Sequence, residues 1–337
     1  MSEILIDKSA YFHNLSQIVQ KVGDKERIML VLKDNAYGHG MRIIANFAKE
    51  FGIKFAVTRT QVEASEISDF FEQILILSHI PNGNENPNFI YAVNDMSYFS
   101  RLKTGTNIHI VADTNMHRNG ICAYDLDEAL ALCKKYSLNL RGFFTHYRAS
   151  DELSSDFYAQ RQNFAEFKKT AKFKANEAGF SDIVFHSSNS AAIERRAGFD
   201  DEFVRVGMAQ YGYAQFDDSL NLRPVLSLWA DLISQRVLKK GERVGYGGVF
   251  CAPCDMKIGT YDLGYADGLL RYAGLGDLRL ASGERLLGKM SMDSFCAEFG
   301  GERVCVINDA REWARFFGTI EYDVLVKLHE KISRRVV

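Results

Sequence analysis

The sequence predicts an α/β chain: a (β/α)8 TIM-type barrel over residues 1–221, followed by a mostly β C-terminal domain over residues 222–337. Three observations carry that expectation. Short apolar runs alternate with segments of helical period as far as about residue 210. Those runs are apolar throughout rather than alternating, as strands covered on both faces are. Beyond about residue 221 the helical period gives way to strand-like pieces parted by glycines. A doubly wound open sheet is the rival for the first part.

In chain order the barrel runs are IMLVLK before Asp34, KFAVTR from Lys54, QILILS from Gln73, FIYAV from Phe89, NIHIVA from Asn107, LRGFFTH ending at His146, DIVFHS from Asp182 and FVRVG from Phe203. Between them, stretches such as MRIIANFAKEFG place apolar residues three and four apart, as the buried face of a helix requires. The second part contains LWADLISQRVL, MKIGTYDLG, RLLGKMSM and FCAEFGGERVCVI. Helical period returns only in REWARFFG.

Size and charge narrow the function classes. A chain of 337 residues with 47% hydrophobic and 25% charged residues can bury a sizeable core. A net charge of −2 argues against nucleic acid or an anionic membrane as the main partner. No apolar run approaches the roughly 18 residues of a membrane span, and MSEILIDKSAYFHNL lacks the cationic-then-apolar order of a signal peptide. The expected location is cytoplasmic. Six scattered cysteines then read as free thiols. Cys251 and Cys254 form one CAPC with no second pair to complete a four-ligand site, so no metal is expected.

In a barrel of this kind, chemistry gathers where strands end. Lys33 ends the first run, His146 the sixth and the His186–Ser190 stretch the seventh, while Arg205 lies in the eighth. Taken alone, a strand-end lysine is more often a surface residue. An amine held away from water, however, favours its neutral, nucleophilic form.

The segment VLKDNAYGHG resembles the cofactor-lysine segment of the alanine racemase family, with Asp34 in place of the usual alanine. Further segments follow in the family's order: ADTNMHRNG with Arg118, GFFTHYRASDE with His146, HSSNSAA with His186, Asn189 and Ser190, and RVGMAQYGY with Arg205, Gly207 and Met208. In the second part come VGYGGVF with Tyr246, GYADGLLR with Tyr265 and Arg271, KMSMD with Met292 and Asp293, and GTIEYDV with Tyr322. One such match is weak; the ordered set covers nearly the whole chain.

The resemblance implies an isomerase that interconverts L- and D-alanine, a peptidoglycan precursor, using pyridoxal 5'-phosphate joined to Lys33 as a Schiff base. Lys33 and Tyr246 are the implied bases on opposite faces of the substrate. Tyrosine has a reference pKa of about 10 and needs help to act near neutrality; the family links it through a histidine to the pyridine-facing arginine and a second histidine, here His146, Arg205 and His186. Arg205, always protonated, would leave the ring nitrogen unprotonated and the ring a weaker electron sink. Tyr37, Asn189, Ser190, Gly207, Met208 and Tyr322 are the implied phosphate and cofactor contacts, and loops after strands seven and eight often bind phosphate. NSAA equally suits a helix cap. Arg118, Tyr265, Met292 and Asp293 are the implied substrate-side residues. A homodimer with shared active sites is implied because the family closes each site with the partner subunit.

One departure stands out. Many members carry a carbamylated lysine two residues before the motif aspartate, and here that place is Val111, so Arg118 is expected to be balanced some other way. Competing readings are a racemase for serine or another small amino acid, a cofactor-dependent amino-acid decarboxylase of the same plan, and a non-catalytic cofactor-binding protein. The decarboxylases typically carry a glycine-rich phosphate loop and a catalytic cysteine motif, neither of which is seen here. Single-domain binding proteins lack the second domain.

Overall fold

The computed structural model describes residues 2–199 and 202–337. A first strand, β1 (Glu3–Ile6), precedes helix α1 (Lys8–Val22). The eight apolar runs then form β2 (Ile28–Val31), β3 (Phe55–Thr58), β4 (Gln73–Ile76), β5 (Ile90–Val93), β6 (Asn107–Val111), β7 (Asn139–Phe144), β8 (Val184–His186) and β9 (Val204–Val206). All pair in parallel in the order β8-β7-β6-β5-β4-β3-β2-β9. A parallel bridge from His186 to Phe203 brings the two outer strands together, so the expected barrel is nearly closed. The connecting helices are α2 (Lys33–Tyr37), α3 (Met41–Phe51), α4 (Gln61–Glu66), α5 (Leu126–Lys135), α6 (Asp156–Glu177) and α7 (Ser190–Arg195). Phe164 and Phe167 of α6 pack with Phe143 of β7 and Ala129 and Cys133 of α5, which is why the β7 run has little polarity on either face.

The second part is the expected mostly β domain. Its strands are β10 (Leu226–Leu238), β11 (Arg243–Val244), β12 (Phe250–Cys251), β13 (Met256–Tyr261), β14 (Leu286–Leu287), β15 (Phe295–Glu298), β16 (Arg303–Ile307) and β17 (Ser333–Val336); α8 (Ala310–Phe317) and α9 (Glu321–Leu325) precede the last. The main sheet runs β14-β15-β13-β10-β1-β17, with β16 also on β10. Long β10 buries alternate residues in its first half, the period of a strand with one covered face.

The N-terminal strand was not among the sequence expectations, and it belongs to this second sheet. β1 pairs antiparallel with β10 (Ile4 opposite Leu228) and parallel with β17. The chain accordingly forms two compact units that interleave along the sequence. One comprises Phe12–Asp34 and Ile44–Leu222; the other comprises the N-terminal segment ending at Tyr11, Asn35–Ile43 and Arg223–Val337. A four-residue strand whose partners lie over 200 residues away leaves no local signal of where it pairs.

Candidate active site

The barrel unit holds a cavity of about 370 Å³ lined by Lys33, Arg118, His146 and Arg205, with Phe144 and Thr145 among the remaining walls. Three of those four side chains are of basic residues and, among the described residues, no carboxylate lines the space, so it favours an anionic occupant. Lys33 follows β2, whose Val31 carbonyl accepts from Gln210 Nε2 (3.1 Å) and Tyr211 Oη (3.3 Å). Those contacts hold the strand end from which the lysine projects.

Arg205 is the hub. Its Nη1 donates to His186 Nδ1 (2.7 Å) and to the His186 carbonyl (3.1 Å), and its Nη2 donates to the carbonyls of Thr145 (2.7 Å) and Ser187 (3.3 Å). Four acceptors with no carboxylate among them fix a buried guanidinium in one plane. Burial pulls its pKa down to about 10, against the opposing pull of Tyr147 and Glu202, so the group remains a cation near neutrality. His186 is fully buried, and burial, then the charge of Arg205, holds it well below the usual imidazole value. Its Nε2 lies 2.9 Å from Nδ1 of His109 on β6. His146 is pushed down to about 3 by burial and by Arg205, Arg118 and Lys33. These imidazoles are neutral at physiological pH.

After β8 the backbone turns at Asn189 into α7. Asn189 Oδ1 accepts the Ala192 amide (3.0 Å) and its Nδ2 donates to Ser150 Oγ (2.8 Å), so Asn189 is the helix cap that NSAA also suited. Ser190 Oγ accepts the amides of Gly207 (3.0 Å) and Ala209 (3.2 Å). The second amide at this hydroxyl is thus one residue beyond Met208. With its oxygen accepting both amides, the Ser190 hydroxyl keeps its own proton to donate.

The residues after Lys33 form a left-handed turn. Asp34, Asn35, Ala36 and Tyr37 have φ of 52–54°, and Gly38 follows at 82°. Each non-glycine residue in that region costs roughly 1–2 kcal/mol. Several contacts offset it. Asn35 Oδ1 accepts the Met41 amide (2.8 Å), the Asn35 carbonyl accepts the Gly40 amide (3.0 Å), and Glu63 Oε1 accepts the Asp34 amide (2.8 Å). Asp34, the family's usual alanine, faces Arg59 at 3.3 Å. Beyond the turn, Tyr37 meets Tyr322 of α9 with ring centroids 5.8 Å apart. A Cβ on Gly38 would lie 2.2 Å from the Leu325 carbonyl oxygen. Gly38→Ala is therefore expected to displace α9 and to lower the melting temperature by at least roughly 2–4 °C, the shift for about 1 kcal/mol in a domain of this size. Differential scanning calorimetry reads the shift; an unchanged melting temperature would show that α9 yields freely.

The remaining candidates lie on the second unit. Tyr246 stands on a turn where Gly245, Gly247 and Gly248 all have positive φ, and it is 66% exposed. The tyrosine borders a cavity of about 330 Å³ with Lys289, Ser291 and Cys296 on its walls. The Tyr265 turn is fastened to the Met292 segment: the Tyr265 amide donates to the Ser291 carbonyl (3.3 Å) and the Ala266 amide to that of Met292 (2.9 Å). A side chain on Gly264 would strike the Met292 carbonyl at 2.0 Å, so that join needs glycine. Arg271 stacks over the Tyr265 ring at 5.5 Å, and Asp293 is exposed.

Two family models match in tandem: "Alanine racemase, N-terminal domain" over residues 6–215 and "Alanine racemase, C-terminal domain" over residues 225–336. Among curated relatives, the alanine racemases of Campylobacter curvus and Campylobacter jejuni are 60% and 50% identical over 337 residues, the whole of both chains in each case. The chain belongs to the alanine racemase family. Solved alanine racemases share its fold. That of Streptomyces lavendulae is 25% identical with a TM-score of 0.87, covering 100% of this chain and 97% of its own. That of Bacillus anthracis, determined with bound L-Ala-P, is 25% identical with a TM-score of 0.89, covering 100% and 95%.

Against the family pattern, two points came from the structure. His109 was passed over because NIHIVA reads as a buried strand, and its partner His186 lies 77 residues further on. Arg118 was expected to need a counter-anion in place of the missing carbamylated lysine. In the single chain it is exposed, on the lining of the same cavity as buried Val111. The motif aspartate of this alanine racemase segment, Asp113, serves the loop instead. Its Oδ1 accepts the amides of Asn115, Met116 and His117 at 3.0–3.1 Å.

Proposed function

We propose that the chain racemises alanine with pyridoxal 5'-phosphate bound at Lys33, which removes and returns the substrate α-proton on one face while Tyr246 serves the other. The observation that carries the reading is the guanidinium of Arg205, buried, held by four acceptors and bordering the cavity that Lys33 lines. The fit to the cofactor rests on the cation-lined, carboxylate-free space and on the Ser190 hydroxyl with its two amides. When bound, the cofactor supplies an electron sink that acidifies the substrate α-carbon. Arg205 would face the ring nitrogen and, having no proton to give up, keep that sink weak. Prompt reprotonation is then favoured over decarboxylation. Ser190, with the amides of Gly207 and Met208, and Tyr37 and Tyr322 would hold the phosphate; Asn189 contributes by capping the turn that carries Ser190. Arg118 would receive the substrate carboxylate, and Tyr265, Met292 and Asp293 would border the substrate side, leaving room for a methyl group.

His146 and His186, neutral and flanking Arg205, would extend the link from the tyrosine hydroxyl to the arginine. Tyr246 is two-thirds exposed in the isolated chain, which supports a homodimer in which a second copy covers it and shares the sites. The six free cysteines support a reducing, cytoplasmic setting. Among the described residues no helix is long and apolar enough to cross a membrane.

A mixing experiment tests the two-base, two-subunit reading. Lys33→Ala and Tyr246→Phe chains are each expected to be nearly inactive. After subunit exchange, random pairing makes about half the dimers mixed, each with one intact site, so roughly a quarter of all sites recover. Confirmed exchange without recovery would refute sharing. Polarimetry on L-alanine and L-serine, with CO2 release measured in parallel, tests the reaction. Both reactions abolish rotation, so its loss without carbon dioxide marks racemisation, and its loss in step with carbon dioxide release would favour the decarboxylase.

A further inference from the structure

His109 is 1% exposed on β6, yet its ring meets His186 of β8 across the intervening strand. The contact passes over Gly142 of β7, which pairs with His109 on one side and Val184 on the other. A Cβ on Gly142 would lie 2.9 Å from His109 Nε2 and 2.8 Å from Val184 Cγ2, so the missing side chain leaves room for the His109 ring over β7.

Proton positions along this row follow from one fact: an arginine can only donate. Arg205 Nη1 donates to His186 Nδ1, so that nitrogen carries a lone pair. A neutral His186 therefore has its proton on Nε2 and donates it to His109 Nδ1. His109 in turn must be protonated on Nε2. A second proton on either ring would set two donors against each other in the barrel interior. Burial opposes that proton as well, pushing His109 down to about 3 with help from Arg141 and Arg205.

We propose that His109 is a positioning residue for the reaction: by accepting the Nε2 proton of His186 it turns the His186 lone pair toward Arg205 and so fixes the guanidinium at the cavity. This rests on the reading that Arg205 faces the cofactor ring. Without His109, the His186 N–H loses its acceptor in the barrel interior; Arg205 still requires the Nδ1 lone pair, but the ring is no longer held from its other side and can turn away from the guanidinium. The guanidinium then keeps only carbonyl acceptors and loses one of its four restraints.

The test uses the full chain, loaded with pyridoxal phosphate and again without it. Side-chain 15N NMR is expected to show His186 and His109 both neutral and both protonated on Nε2. Either ring protonated on Nδ1, or charged, overturns the proposal with no variant needed. In His109→Leu the His186 Nε2–H signal should lose its hydrogen-bonded shift, and the Nδ1 signal should move as the contact with Arg205 loosens. The bound cofactor's absorbance maximum should move, and kcat should fall about tenfold to a hundredfold with a smaller change in KM. His109→Asn, whose amide oxygen takes the place of Nδ1, should restore the wild-type His186 signals and most of kcat. A folded His109→Leu chain with unchanged His186 signals, absorbance and kcat would also sink the idea, as would an Asn variant no better than Leu. Arg205→Lys separates this from the underlying reading. If the cofactor's absorbance ignores that change, Arg205 does not face the ring, whereas the two tautomers still decide the relay.

Discussion

Lys33→Ala is expected to abolish the visible absorbance of the covalently held cofactor and to reduce racemisation by more than about 10⁴-fold. Loss of a general base alone costs about 10²–10⁴, and on the proposed reading this change also removes the amine that would hold the cofactor. Among the described residues, Lys33 is the one lysine on the cavity lining. The side chain is half-buried and the backbone around it is held by other groups: the Leu32 amide by the Val57 carbonyl (2.9 Å) and the Asp34 amide by Glu63. The variant should therefore fold normally, and its melting temperature without cofactor should match wild type. Borohydride reduction followed by peptide mass mapping locates the attachment in the parent. A Lys33→Ala chain that keeps both the absorbance and near-normal turnover would overturn the assignment.

Cofactor-free protein is expected to lose several kcal/mol of stability between pH 7 and pH 5, before its carboxylates titrate. His39, His109 and His186 are almost completely buried. Burial pushes His39 down to about 4, with Arg334 adding to the effect, and His109 down to about 3; His186 is well below its ordinary value. In the unfolded chain each titrates near 6.5. Above that pH both states are neutral there and stability is flat. Below it the unfolded state binds more protons, so stability falls as pH falls, by about 1.4 kcal/mol per pH unit for each such histidine until its folded pKa is reached. Depressed carboxylates such as Glu85, at about 2, act in the same direction, but only below about 4.5. The histidine contribution is thus recognised by where it begins. Urea midpoints at pH 7.5, 6.5, 5.5 and 5.0 measure it. A midpoint that holds steady to pH 5 would mean that these imidazoles already carry protons in the fold.

Much of the architecture and site was legible in the chain. All eight barrel runs became strands, because a strand covered on both faces must be apolar along its length and helices between such strands must show their period. Lys33, His146 and Arg205 were found by their places at or in those strands, and they line one cavity. Asn189 carried two meanings in NSAA, and the hydrogen bonds at both ends of its side chain distinguish them.

By itself, the sequence determined the strand periods, the order of the motifs and the chemical types at the strand ends, since each is written in neighbouring residues. Tertiary structure alone decided the rest. β1 joined the sheet of β10 and β17 through pairings with residues more than 200 positions distant. Arg118 came to lie exposed on the lining of the cavity that also holds Val111. The four residues after Lys33 took left-handed backbone, which Asp34 and Asn35 tolerate but Ala36 and Tyr37 do not favour, stabilised by contacts from Asn35 and Glu63. His109 found His186 across the intervening strand, where Gly142 leaves room for the His109 ring. Hydrogen bonding and desolvation act between groups adjacent in space, and those groups lie far apart along the chain.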